Sequence, residues 1–214
     1  MGLRKLIFAT GEIYHVYNHS QYNVPIFRSK RTCNLFLETM KFYLQPFPPT
    51  RFSIYRTNRD KFPINLKNPI VTIINYCLMP NHFHLLLRQE NDNGIKNFVQ
   101  KISNSYAHYF ALKNQIKGHI FGGNFKAVRI ENEEQLIHTS RYIHLNPVTS
   151  YLVEKPEDYL FSSYSISLKE RFVDFVHPEE ITNYFSSIKK YEEFVTAQKN
   201  YQRTLQLIKH LTLE

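Results

Sequence analysis

Residues 76–87 read Tyr-Cys-Leu-Met-Pro-Asn-His-Phe-His-Leu-Leu-Leu, and the fold turns on how they are parsed. Ile70 to Cys77 is a strongly β-prone run, Pro80-Asn81 breaks it, and His82 to Leu87 is a second run bounded by Arg88 to Asn93. On a strand, residues i and i+2 face the same way. His82 and His84 therefore project together while Phe83 faces the other side. Two adjacent imidazoles suit a divalent metal. Taken alone, the triplet fits two unrelated histidines in a sheet equally well.

Outward from this stretch, helix and strand patterns alternate. Ile13 to Asn18 alternates and is β-rich, so it reads as a strand. Arg31 to Leu44 carries apolar residues at helical spacing until Pro46, Pro48 and Pro49 stop it. Ile95 to Leu112 is the clearest helix, with Ile95, Phe98, Ile102, Tyr106 and Tyr109 on one stripe. Gly118 to Gly123 is a turn and Phe125 to Ile130 another strand. Asn132 with Gln135 resembles a capping box, and Glu133 and Glu134 suit the positive end of a helix. That helix is expected to end near Leu145, because Pro147 disfavours helical geometry at Asn146. The pattern predicts an α+β sandwich, an antiparallel sheet with helices on one or both faces. Beyond a junction bounded by Pro156, the residues Tyr184-Phe185, Tyr191, Phe194-Val195 and Leu205 to Leu211 read as short amphipathic helices.

The chain has 214 residues and a formal charge of +9, with two cysteines, Cys33 and Cys77. Two cysteines exclude a disulfide scaffold and a four-cysteine zinc module, and their apolar neighbours favour burial, as in a reducing cytoplasm. No stretch approaches the roughly 20 apolar residues of a membrane span, and Met1 to Thr10 is too quickly polar for a secretory signal. The charge is uneven. Residues 1–150 hold 19 of the 27 basic and 8 of the 18 acidic residues, a net of +11, whereas residues 151–214 carry −2. A basic body suggests a polyanion partner. Residues 50–69 look like an inserted arm, with Arg51, Arg56, Arg59, Lys61 and Lys67 interleaved with Phe52, Tyr55 and Phe62.

A (β/α) barrel hydrolase carrying His-x-His typically needs about 250 residues, and a cupin about eight strands, so both fit poorly. A second constellation lies on the last helix of the basic body, where His138, Tyr142 and Asn146 are spaced i, i+4, i+8 on one face. A tyrosine with a pKa near 10 is a poor nucleophile at neutral pH unless a metal polarises its target. Asn146 offers an amide oxygen to complete a two-imidazole site. Spacing alone does not single out Tyr142 among 15 tyrosines.

Residues 76–87 closely resemble the HUH motif (His, bulky hydrophobic, His) of single-tyrosine transposases. Residues 141–148, Arg-Tyr-Ile-His-Leu-Asn-Pro-Val, resemble the tyrosine motif of the branch called REP-associated tyrosine transposases. Tyr14 to Asn18, Gly118 to Phe121 and Phe125 to Ala127 agree as well, so the resemblance covers roughly residues 10–165.

It implies an RRM-like (ferredoxin-like) fold in a catalytic domain of residues 1–165, followed by a helical extension over 166–214. It further implies His82 and His84 as metal ligands, Asn146 as a third ligand, Tyr142 as nucleophile, and Mg²⁺ or Mn²⁺ as cofactor. The implied partner is single-stranded or imperfect-hairpin DNA, cleaved through a 5′-phosphotyrosine that leaves a free 3′-hydroxyl. The implied protein is a cytoplasmic, nucleoid-associated monomer or homodimer. Candidate phosphate contacts are Arg51, Arg56, Arg59, Lys61, Lys126 and Arg129, with Phe52, Tyr55 and Phe62 either stacking on bases or folding back to cover the sheet edge. The chain departs from the family at Asn18-His19-Ser20, where Asn-Arg-Gly is common. A hairpin-binding protein without catalysis and a phosphodiesterase using water are the competing readings.

Overall fold

The structure, a computed structural model, describes residues 6–197. The stretch Leu205 to Leu211, read above as helical, lies outside the described residues. Four strands, β1 (Ile13–His19), β2 (Val71–Met79), β3 (His82–Gln89) and β4 (Lys126–Arg129), form one open antiparallel sheet in the order β2-β3-β1-β4. The predicted α+β class is therefore borne out. Pro80-Asn81 is the two-residue turn between β2 and β3, pairing Met79 with His82. The Pro80 carbonyl accepts from the backbone N–H of both Ile26 and Phe27, which clamps the turn to the chain leaving β1.

The pleat sorts the side chains into two layers. Tyr14, Val16, Phe83, Leu85 and Leu87 face one core together with Phe36 and Met40 of α1 (Lys30–Tyr43) and with Phe98, Ile102 and Tyr106 of α3 (Gly94–Asn114). Between these helices runs α2 (Phe52–Thr57). A register shift between Ile73 and Asn75 in β2 changes the parity of the strand, so that Cys77 and Met79 join Ile74 and Leu86 in the opposite layer. There α4 (Glu133–Thr149) supplies Leu136, Ile143, Leu145 and Val148. Three further short helices, α5 (Tyr164–Ser167), α6 (Glu179–Thr182) and α7 (Ile188–Thr196), pack on this side and bury Tyr164, Ile181, Tyr191 and Val195. Backbone bonds from Leu78 N to Phe161 O, Ser163 N to Tyr76 O and His177 N to Ile73 O cover the outer edge of β2.

Two expectations are corrected. Helix α4 does not stop near Leu145 but continues through Pro147 to Thr149. The N–H that Pro147 lacks would have bonded Ile143, one bond near the helix end, while burial of Ile143 through Thr149 outweighs its loss. The turn closes behind it through Ser150 N to Asn146 O and Leu152 N to Pro147 O. Asn146 is thereby helical, one turn beyond Tyr142.

The arm is not a free aromatic surface either. Phe52 and Tyr55 sit i, i+3 on α2 and are buried against Phe42, with ring centroids 5.5 and 4.7 Å away, and Phe62 packs on the same core. Apolar area at helical spacing beside an open core edge is worth more buried than held out for a ligand.

Candidate active site

The alternation of β1 and its register against β3 put five ring side chains on one patch. Tyr17 lies opposite His84 and His19 opposite His82, while His15 sits two residues along the same face. The rings of His19 and His82 stack at 4.5 Å, and those of His82 and His84 meet at 4.9 Å and 88°. Helix α4 crosses above. Asn132 caps it by accepting from Gln135 N at 2.8 Å, and Gln135 Oε1 returns the favour to Glu131 N at 2.8 Å.

The packing that fixes α4 leaves Tyr142 44% exposed, its ring 5.5 Å from that of His84 and 6.0 Å from that of His15. Asn146, one turn on, is buried with Nδ2 3.3 Å from His84 Nε2, and its amide also bonds His82. His138 does not join them. It meets Arg141 at 2.6 Å and packs on Phe194 of α7.

Hydrogen bonds orient both imidazoles of the His-x-His pair. His82 Nδ1 lies 2.6 Å from Asn81 Oδ1, so it carries the proton and its Nε2 keeps a lone pair. His84 Nδ1 lies 2.9 Å from His15 Nε2, so its own Nε2 is the nitrogen turned towards Asn146. Burial pushes His82 and His15 down to about 4, with His19 adding to the effect at His82, and pushes His84 well below the usual imidazole range. Burial first, and Lys126 second, lower His19. The rings are neutral at pH 7 and available as donors.

Among the described residues no group of three or more His, Cys, Asp or Glu side chains could hold a metal. The side chains that stand together at the seam between α4 and the sheet are two imidazoles and an amide, a set that would fit a divalent ion. Two Nε2 lone pairs and Asn146, turned over to present Oδ1, converge with no carboxylate to cancel the ion's charge. His82, His84, Tyr142 and Asn146 of the same chain lie together at this seam.

The basic candidates divide. Lys126 pairs with Tyr17 in the β1–β4 register and shares the site's face. Arg129 pairs in register with Tyr14, on the opposite face, and is ion-paired to Glu12 at 2.8 Å. Arg59 is ion-paired to Glu38 of α1, and Arg56 lies over the Tyr109 ring of α3 at 5.6 Å. Arg51 and Lys61 are exposed on the same arm. None of these four stands beside the histidines. His15 and His19 were not singled out from sequence, although the alternation read for Ile13 to Asn18 already placed positions 15 and 17 on one face.

An open four-stranded antiparallel sheet bearing His-x-His beneath a helical tyrosine is the arrangement expected of the single-tyrosine transposase class. In line with that resemblance, residues 59–146, which include His82, His84, Tyr142 and Asn146, match the family model described as "Transposase IS200 like". The solved structure of a REP-associated tyrosine transposase bound to a REP hairpin is similar over 87% of this chain and 96% of its own. Its TM-score is 0.57 at 16% identity, so the two share a fold. A Deinococcus radiodurans structure assigned as a transposase gives a TM-score of 0.36 at 13% identity, covering 67% of this chain and 94% of its own. The tRNA(His) guanylyltransferase of Saccharomyces cerevisiae gives 0.38 at 9%, covering 90% and 80%. No curated protein matches. No helix among the described residues is long and apolar enough to cross a membrane.

Proposed function

We propose that this chain is a DNA transposase that cleaves and rejoins single-stranded or hairpin DNA through Tyr142. The observation that carries the reading is the half-exposed Tyr142 ring set edge-on over His84, one turn before Asn146 on the same helix. Tyr142 Oη attacks the phosphorus and the bond to the 3′ oxygen breaks. The tyrosine loses its proton, the 3′ oxygen gains one, and a 5′-phosphotyrosine remains. His82, His84 and Asn146 would hold Mg²⁺ or Mn²⁺, which when bound neutralises charge developing on the phosphate oxygens. Burial keeps the two imidazoles neutral, and Asn81 and His15 aim them. Lys126 supplies phosphate attraction on the same face.

The REP hairpin in the similar structure supports DNA as the partner. The protein is proposed to act in the cytoplasm as a monomer or homodimer. Incubation with an end-labelled hairpin oligonucleotide and Mn²⁺, followed by denaturing electrophoresis, tests the reading. A labelled band at the mass of protein plus DNA is expected. Cleavage without that band would indicate attack by water, and binding without cleavage a hairpin-binding protein.

A further inference from the structure

The turn that leaves β1 holds an aromatic residue in an uncommon state. Tyr22 and Asn23 both have φ of 54°, in the left-handed region that non-glycine residues adopt at a cost. Tertiary contacts impose this backbone. Ser20 N donates to Asn81 O at 2.7 Å, Gln21 N to Ile120 O at 2.8 Å, and Ser20 Oγ to Val24 O at 2.6 Å. The outcome buries nothing: the Tyr22 side chain is 89% exposed. A large aromatic held out in water on a strained, many-bonded turn does no work in the core.

Its position does point to a role. Asn81 Nδ2 donates to Asn23 Oδ1 at 3.3 Å, and the other atom of that amide, Oδ1, is the one that holds His82 Nδ1 at 2.6 Å. Tyr22 is therefore one residue from a direct hydrogen-bond relay to His82. It also lies three residues past His19, whose ring stacks on His82. Phe52 and Tyr55 of the arm, by contrast, are buried on the opposite layer, with Phe62 packed against it.

We propose that Tyr22 is a stacking platform for an unpaired base of the strand entering the site. The proposal rests on the DNA-cleaving reading above and adds a base-binding residue to it. Stacking needs only a π-face, so it is tolerant of base identity and insensitive to the phenolic hydroxyl.

The test uses the full chain in EDTA, so that binding is read without cleavage. The probes are a hairpin with a single-stranded flank bearing 2-aminopurine and the same hairpin without a flank. Tyr22→Ala should weaken binding of the flanked hairpin by about 5- to 100-fold, the equivalent of one lost base stack. It should also remove 2-aminopurine quenching and leave the flankless hairpin unchanged. Tyr22→Phe should behave as wild type. Tyr22→Gly should lose the same affinity while melting higher, because glycine relieves the left-handed backbone.

Wild-type affinity and quenching in Tyr22→Ala, with the wild-type protein binding DNA, would overturn the stacking role and leave the DNA reading standing. Equal losses on both hairpins would also overturn it. A wild-type protein that binds neither hairpin would overturn the DNA reading and this inference with it.

Discussion

His15 Nε2 stands 2.9 Å from His84 Nδ1 across the β1–β3 pair, with the two ring centroids 5.1 Å apart. The contact decides which nitrogen of His84 carries the proton and thereby which one faces Asn146. An outer partner of this kind usually fixes the tautomer and tilt of a metal ligand. His15→Phe keeps the ring bulk and removes the acceptor. It should lower Mn²⁺ affinity about 10- to 100-fold, measured by titration without DNA. An unchanged affinity would mean that His84 is oriented by packing alone.

The metal ligands and the nucleophile separate by what they abolish. His82→Ala, His84→Ala or wild type in EDTA should each lose cleavage yet hold hairpin DNA, because phosphate contacts elsewhere supply most of the affinity. Tyr142→Phe should bind both DNA and Mn²⁺ like wild type and form no covalent adduct. Full cleavage in EDTA would remove the metal from the account, and an adduct in Tyr142→Phe would move the nucleophile.

Local rules carried the sequence reading as far as local physics reaches. The parity of a strand was enough to put His82 and His84 on one face. The i, i+4 spacing was enough to align Tyr142 with Asn146, although the expected helix end at Pro147 hid that both are helical. His15 and His19 needed more than parity, since only the pairing of β1 with β3 brings them to the His-x-His pair. Strand neighbours are a long-range choice that alternation does not encode. The arm misled for a related reason. Phe52 and Tyr55 at i, i+3 form a helical apolar face as readily as a stacking surface, and the open core edge beside Phe42 decided between them.

That placement changes what the arm's charges are expected to do. Lys126→Ser should flatten the log K versus log salt slope for single-stranded DNA by about 0.7, the loss of one phosphate contact. Arg59→Ser breaks an ion pair with Glu38 on the other layer and should leave the slope unchanged. Phe52→Ala should instead cost about 3–5 kcal/mol of folding stability in urea titration, as for other buried phenylalanines. A flattened slope in Arg59→Ser with an unchanged one in Lys126→Ser would put the DNA on the arm's side of the sheet.

The helix that presents Tyr142 is held from behind by a buried polar chain centred on His144. His144 Nδ1 lies 2.7 Å from the Tyr191 hydroxyl of α7, and Nε2 lies 2.9 Å from Ser163 Oγ, which in turn accepts from Tyr76 N of β2 at 2.9 Å. Ser140 meets the same Tyr191 hydroxyl at 3.1 Å and accepts from Asn75 Nδ2 at 2.5 Å. His144→Leu would remove two hydrogen bonds while Tyr191 keeps Ser140 and Ser163 keeps Tyr76, and should cost about 1–3 kcal/mol, since each bond contributes roughly 0.5–1.5.

The pH dependence carries the same signature. Burial lowers the His144 pKa to about 3, whereas the unfolded chain titrates near 6.5. Below that value the unfolded state binds the proton and the folded state does not. This residue's contribution is therefore complete above about 6.5 and is lost progressively as pH falls towards 3. Urea unfolding at pH 7.5 and pH 5 should show wild type losing more stability on acidification than His144→Leu, by up to one proton's slope over that interval. Equal acid losses in the two proteins would mean that the acid sensitivity resides in the other buried histidines, and that His144 holds α4 without titrating.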